Sequence, residues 1–140
     1  MKLLVTTPTA VVAQFEDVVS LVAEDGSGSF GILDGHADFV TALSPSIVTW
    51  QRSDGRTGHC AVRGGVLTSE GGTLVSIATR EAVVSDDLER LESDVIARFE
   101  ARIEEERAAR VEAAVLRMKA IRQIVRYLQT PNATRVGGLN

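Results

Sequence analysis

Cysteine is almost absent from this chain. Cys60 stands alone, which rules out an internal disulfide and fits a reducing compartment. With only two histidines and no second thiol, a structural zinc site has no ligand set. Basic charge is also scarce: 15 Lys and Arg face 19 Asp and Glu, for a net charge of −4 and a pI near 5.2. That balance argues against a nucleic-acid partner, because phosphate binding needs a basic surface. No apolar run is long enough to span a bilayer, and the opening Met1-Lys2-Leu3-Leu4-Val5-Thr6-Thr7 stops being apolar too soon for a signal peptide. A soluble intracellular protein is the expectation. Glycine, finally, is missing from residues 73–136 after ten instances between Gly26 and Gly72.

That last absence divides the chain. Its 140 residues suffice for one domain or for a domain with an appendage, and 44% hydrophobic with 24% charged residues is globular composition. Up to Val84 the grammar is that of strands, expected at 2–7, 17–23, 29–32, 40–43, 47–51, 58–63, 65–69 and 73–78. Thr73-Leu74-Val75-Ser76-Ile77-Ala78 and Ile47-Val48-Thr49-Trp50 are dominated by β-branched and apolar residues. Ser53-Asp54-Gly55-Arg56 and Ser69-Glu70-Gly71-Gly72 supply hairpin-turn residues. Many short strands with frequent turns predict an antiparallel β-sandwich or flattened barrel over residues 1–84.

Residues 85–140 form the second part. From Asp86 to Gln129 there is neither glycine nor proline, and Ala, Glu, Arg, Leu and Val predominate, which is helix composition. Ser85-Asp86-Asp87 provides a cap and acidic groups for the first turn. Leu88, Leu91, Val95, Phe99 and Ile103 form one helix face; Val111, Val115, Met118, Ile121 or Arg122, Val125 and Leu128 form another that is out of phase with it. Residues 86–106 hold nine acids and three bases, whereas 107–128 hold six bases and one acid. Opposite charge on two apolar-faced segments predicts an antiparallel helical hairpin turning near Glu106–Arg110. The competing expectation is one continuous helix, since nothing forces a turn. Thr130-Pro131-Asn132 ends the helical pattern, with a frayed tail expected beyond it.

Catalytic chemistry is hard to find. Gly64-Gly65 and Gly71-Gly72 lack the Lys-Ser or Lys-Thr of a phosphate-binding loop. Gly26-Ser27-Gly28-Ser29 lies in loop surroundings rather than at a nucleophile elbow. His36 and His59 have no nucleophile partner in sequence, and Cys60 reads as a small core hydrophobe. The acids Glu104, Glu105 and Glu106 read as a solvated helix face. A non-enzyme is expected, without metal or resident cofactor.

One segment carries a resemblance. Gly28-Ser29-Phe30-Gly31-Ile32-Leu33-Asp34-Gly35-His36-Ala37-Asp38-Phe39-Val40-Thr41-Ala42-Leu43 resembles the signature of F-type ATP synthase epsilon subunits, Gly-x-Leu-Gly-Ile-x-Pro-Gly-His-Ala-Pro-Leu-Leu-Thr-x-Leu. Ala61-Val62-Arg63-Gly64-Gly65-Val66-Leu67 is similar to the strand, Gly-Gly, strand element of the same family, and Thr73–Ala78 matches the strand that follows. Asp34 and Asp38 stand where the family has proline, Phe30 replaces leucine, and the helical part lacks the small-residue break between two helices. These departures point to a divergent branch such as the alternate, sodium-type ATPase set of some bacteria.

The resemblance implies a non-catalytic central-stalk subunit of an ion-translocating ATP synthase, peripheral to the cytoplasmic face of the bacterial inner membrane. Its implied partners are the gamma subunit, the membrane rotor ring of c subunits, and the alpha and beta subunits of the catalytic head. Ser29, Phe30, Leu33 and His36 become rotor-ring contact candidates, with Gly31 and Gly35 as turn glycines. Arg107, Arg110, Arg117, Lys119, Arg122 and Arg126 become a regulatory helix face that restrains ATP hydrolysis, or one that merely neutralises the first helix. Asp87 and Arg90 reproduce part of the motif through which some members bind ATP, and ATP is the one small ligand the resemblance raises. Two rival readings are a free-standing β-domain that dimerises through its C-terminal helices, and a hydrolase built on Cys60 and His59.

Overall fold

A computed structural model describes residues 1–129. Eight strands come first: β1 Lys2–Thr7, β2 Ala10–Phe15, β3 Val18–Asp25, β4 Gly28–Leu33, β5 Phe39–Arg52, β6 Thr57–Glu70, β7 Leu74–Ala78 and β8 Ala82–Ser85. A short helix α1, Leu88–Arg90, runs through a π-helical segment, Leu91–Ile96, into the long helix α2, Ala97–Leu128. Two compact units result, one of residues 1–101 and one that starts at Arg102.

The strands follow the order β2-β1-β7-β6-β5-β3-β4, with β8 paired to β6 off this path. All pairings are antiparallel except β1 with β7, which run parallel from Lys2↔Leu74 to Thr6↔Ala78. β5 and β6 pair along their length, from Phe39↔Ser69 to Gln51↔Thr57. β6 then divides its other edge between β8 over His59–Val62 and β7 over Val66–Glu70. One long strand thereby serves both layers of the sandwich.

The sequence reading split β5 and β6 into two strands each, at Ser44-Pro45-Ser46 and at Gly64-Gly65. Both instead pass through these points unbroken. Pro45 faces Arg63 across the ladder, and the two glycines hold φ of 76° and 115°, so the chain bends there rather than turning back. β2 and β8 were not anticipated at all.

Period-2 alternation supplies the core. Leu3, Val5, Val18, Leu21, Ile32, Val48, Trp50, Cys60, Val62, Leu67, Val75 and Ile77 are buried together inside the sandwich. Ala61, between Cys60 and Val62, faces the other way and is equally buried, because Leu91, Val95 and Phe99 pack over it with Ile47, Val83 and Ile96. The three-residue run buried on both faces of β6 therefore reports a helical segment lying on its outer side. Asp87 starts that segment: its Oδ1 accepts from the Arg90 backbone N–H at 3.1 Å, and the Ser85 hydroxyl accepts from the Asp87 N–H at 3.1 Å.

The expected hairpin is not formed. Helix α2 continues without interruption through Glu106–Arg110, where the turn was placed. Each further residue adds a backbone hydrogen bond, and no Gly or Asn is present to take the left-handed conformation that usually closes a helix. Glu104 and Arg107 instead form an i,i+3 pair at 3.7 Å where the expected turn would begin. The phase break between the two apolar series marks where burial ends, with Ile103 half-buried and every described side chain from Arg107 onward exposed. The expected helix stop at Thr130-Pro131-Asn132 and the frayed tail lie outside the described residues. No described helix is long and apolar enough to cross a membrane.

Candidate functional site

β4 and the β4–β5 loop hold the rotor-ring candidates and turn glycines singled out from the sequence. On β4, alternation sends Ile32 into the core, half-buries Phe30, and turns Ser29, Gly31 and Leu33 outward. Ser29 and Leu33 thus share a face but stand roughly 13 Å apart along the strand. Phe30 points the other way, meeting Phe39 edge to face at 5.9 Å between ring centroids. His36 joins the same group from the loop, its ring 5.0 Å from that of Phe39. The four candidates therefore do not form one patch. Phe30 and His36 converge on Phe39, and Leu33 and Ser29 lie on the outer face of β4.

Leu33 and Val40 are the exposed apolar groups of this end, at 65% and 67% relative exposure. Neither Val40 nor the gathering role of Phe39 was foreseen. The signal was present in Phe39-Val40, since alternation must turn one of two adjacent apolar residues outward. His36 Nδ1 lies 2.9 Å from the Ala37 carbonyl oxygen, a hydrogen bond in which the carbonyl can only accept.

The loop is fastened to the β6–β7 turn. Thr73 N–H donates to Glu70 O at 3.2 Å, and Gly71 and Gly72 take φ of 62° and 70° between them, the paired left-handed geometry of a tight hairpin turn. Gly35 N–H donates to Gly72 O at 2.8 Å, and Asp38 Oδ1 accepts from Gly71 N–H at 2.7 Å. A Cβ on Gly72 would fall 2.9 Å from the Gly35 Cα, so only glycine admits this approach. Asp38, one of the two departures from the proline pattern, thus ties the loop down through its side chain. Asp34, the other, stands 3.6 Å from the Met1 ammonium.

Elsewhere the candidates sit apart. Arg107, Arg110, Arg117, Lys119, Arg122 and Arg126 are all exposed along α2. Val111, Val115, Met118 and Val125 make an exposed apolar stripe on that helix, with Arg122 on the same line. Asp87 is engaged as the helix cap described above. Cys60 is fully buried with its thiol pushed up to about 12 by that burial, while His59, on the opposite face of the strand, shares a hydrogen bond of 2.9 Å with Thr49. A thiolate–imidazole pair cannot form between neighbours on opposite faces. The hydrolase reading has no geometry to stand on.

The family described as "ATP synthase, Delta/Epsilon chain, beta-sandwich domain" matches residues 1–85. Over 139 residues the chain is 41% identical to "ATP synthase epsilon chain 2" of Cereibacter sphaeroides, covering 99% of this chain and 95% of the relative. The chain belongs to the ATP synthase epsilon family. A protein of the same name from Paraburkholderia xenovorans is 40% identical over 92% of this chain and 93% of its own length. In a cryo-EM structure of the Euglena gracilis mitochondrial ATP synthase, a chain 27% identical superposes with a TM-score of 0.57, over 76% of this chain and 62% of that one. A chain in the central stalk and c-ring of the Tetrahymena thermophila enzyme, 16% identical, shares the fold with a TM-score of 0.55 over 67% of this chain and 71% of its own. As an epsilon-family member the chain is a non-catalytic component of the ATP synthase stalk.

Proposed function

We propose that the sandwich links the gamma subunit to the membrane rotor ring, and that the β4–β5 end is its ring-facing surface. The supporting observation is exposed Leu33, whose carbonyl accepts from the His36 N–H at 3.1 Å, on a loop bonded to the neighbouring turn through Gly35–Gly72 and Asp38–Gly71. Apolar groups on a stiff loop gain contact without a large ordering cost, which suits a part that transmits torque. Ser29 and Phe30 would then flank the contact rather than form its centre. The stalk module is taken to end at residues 84/85, where helix replaces strand, although the first helical turns up to Ala101 stay packed with the sandwich and the freer regulator begins beyond them. The chain so placed lies at the cytoplasmic face of the bacterial inner membrane, held there by its partners.

The basic, apolar-striped part of α2 acts as the regulatory element, docking on acidic surface of the alpha and beta subunits and restraining ATP hydrolysis. Self-association through this stripe is the second reading, favoured by the exposure of Val111, Val115, Met118 and Val125. Six bases against one acid over 107–128 oppose pairing of this segment with its own copy. Leu33→Glu in the reconstituted complex tests the ring contact: ATP hydrolysis should persist while ATP-driven ion pumping falls. Unchanged pumping would remove this loop from the coupling path. Reversing Arg122 and Arg126 to Glu should raise hydrolysis if the helix restrains it.

A further inference from the structure

The exposed stripe of α2 has no cover among the described residues, and its chemistry specifies one. Val111, Val115, Met118 and Val125 run along the helix, and Lys119, Arg122 and Arg126 follow one flank of that stripe at i, i+3 and i+7. None of these three cations pairs with an acid among the described residues. A surface of this kind fits a partner that is acidic and partly apolar.

Such a surface lies within residues 1–101. A groove of about 400 Å³ opens between β5 and the helical residues that follow the sandwich. Leu88, Glu92, Ile96 and Glu100, spaced four apart, alternate apolar and acidic along one wall, while Ile47 of β5 and Glu24 of β3 belong to the other. No Lys or Arg lines the groove, and its three carboxylates are exposed and hold no ion pair among the described residues. Glu92 and Glu100 are separated by roughly 12 Å of helix, and Lys119 and Arg126 by roughly 10 Å. Groove and stripe therefore match in sign and in spacing, with apolar groups beside the charges in both.

We propose that this groove receives the basic stripe of α2 from a second copy of the chain, and that two copies exchanging groove for helix form a closed dimer of the free protein. A helix that continues unbroken from Ala97 to Leu128 cannot fold back to offer its own stripe to the groove beside Glu100. Repulsion between two basic segments does not arise, because each stripe meets acids. The groove shares no residue with the β4–β5 loop, so the pairing does not rest on the ring contact. It does use the face assigned above to the catalytic head, which makes dimer and head contact mutually exclusive.

The test is sedimentation velocity of the full chain over a concentration series, with charge-reversed variants run alone and mixed. The parent should pass from monomer to dimer, and less readily as salt rises. Glu92→Lys with Glu100→Lys, and separately Arg122→Glu with Arg126→Glu, should each weaken the dimer by about tenfold or more, since like charges then face each other. Mixed in equal amounts, the two variants should pair as tightly as the parent, because each carries the groove that the other's helix needs. Glu24→Lys should weaken the dimer too; Glu24 lies on β3, so a simple pairing of helices would ignore it. All five positions are exposed, and circular dichroism with Trp50 emission checks that each variant keeps its fold. A parent that stays monomeric, species larger than a dimer, a mixture that fails to pair, or full association in Glu24→Lys would each overturn the proposal. Gamma binding is titrated in parallel, and its loss would strike the stalk role while leaving the pairing in place.

Discussion

Removing the Phe99 ring tests how the helical segment is held to the sandwich. Phe99 is 1% exposed and sits with Leu91 and Val95 over Ala61, in a cluster separate from the sandwich interior. Phe99→Ala should cost about 3–5 kcal/mol, the usual range for deleting a buried ring and leaving a cavity. A whole-domain urea m-value of about 2 kcal/mol/M would convert that to a midpoint fall of roughly 1.5–2.5 M, and the smaller surface exposed when residues 88–101 undock makes this a lower bound. The single tryptophan, Trp50, belongs to the other cluster and reports the sandwich by fluorescence, while far-ultraviolet circular dichroism weighs the helix. The helical signal should therefore move further than the Trp50 signal. Glu100→Ala, at an exposed neighbour, serves as control and should stay within about 0.5 kcal/mol of the parent. A Phe99→Ala midpoint equal to that of the parent by both probes would refute the docking argument.

Acid should weaken the sandwich. The Arg52 hydrogen bond at 2.9 Å holds Asp17 below its ordinary value of 3.8, and bonds from Ser27 and Thr41 hold Asp25 below the same value. Depressed carboxylates contribute stability that is present above 3.8 and lost as pH falls through the lowered folded values. Thermal melts of the Asp17→Asn, Asp25→Asn double variant should accordingly show a flatter acid limb than the parent, and an identical limb would contradict the assignment. Cys60 should resist thiol-specific disulfide reagents at pH 8 in the native protein and react promptly in denaturant, since burial pushes its thiol up to about 12. Gly58→Ala drives a Cβ into the Trp50 ring and should cost about 1–3 kcal/mol with a shifted tryptophan emission. Unchanged emission and stability would show that ring to be mobile.

The residues disclosed some layers of this architecture and concealed others. β1 could be read to its ends because Lys2–Thr7 is an unbroken strand-forming run closed by Pro8. β5 and β6 were cut in two because Pro45 and Gly64-Gly65 act as breakers in isolation, whereas the long ladder between the two strands carries them through. The parallel β1–β7 pairing joins segments about seventy residues apart and leaves no local trace. The continuous α2 was among the possibilities, but average helix length pointed the other way, and that average carries no information about a chain with no stop signal from 86 to 129. At the candidate site, Asp38 looked like a lost proline. Its partner, Gly71, is 33 residues away, and only the folded chain brings the carboxylate to that turn.

The central claim is that this chain is a stalk subunit carried by its sandwich. The direct measurement is calorimetric titration of the full-length protein into the gamma subunit of the same ATP synthase, with sedimentation of each partner alone. The account predicts a saturable one-to-one complex, retained when Arg122 and Arg126 are both changed to Glu. No heat with gamma, together with a concentration-dependent dimer of this chain alone that those changes disrupt, would contradict it and favour self-association through α2.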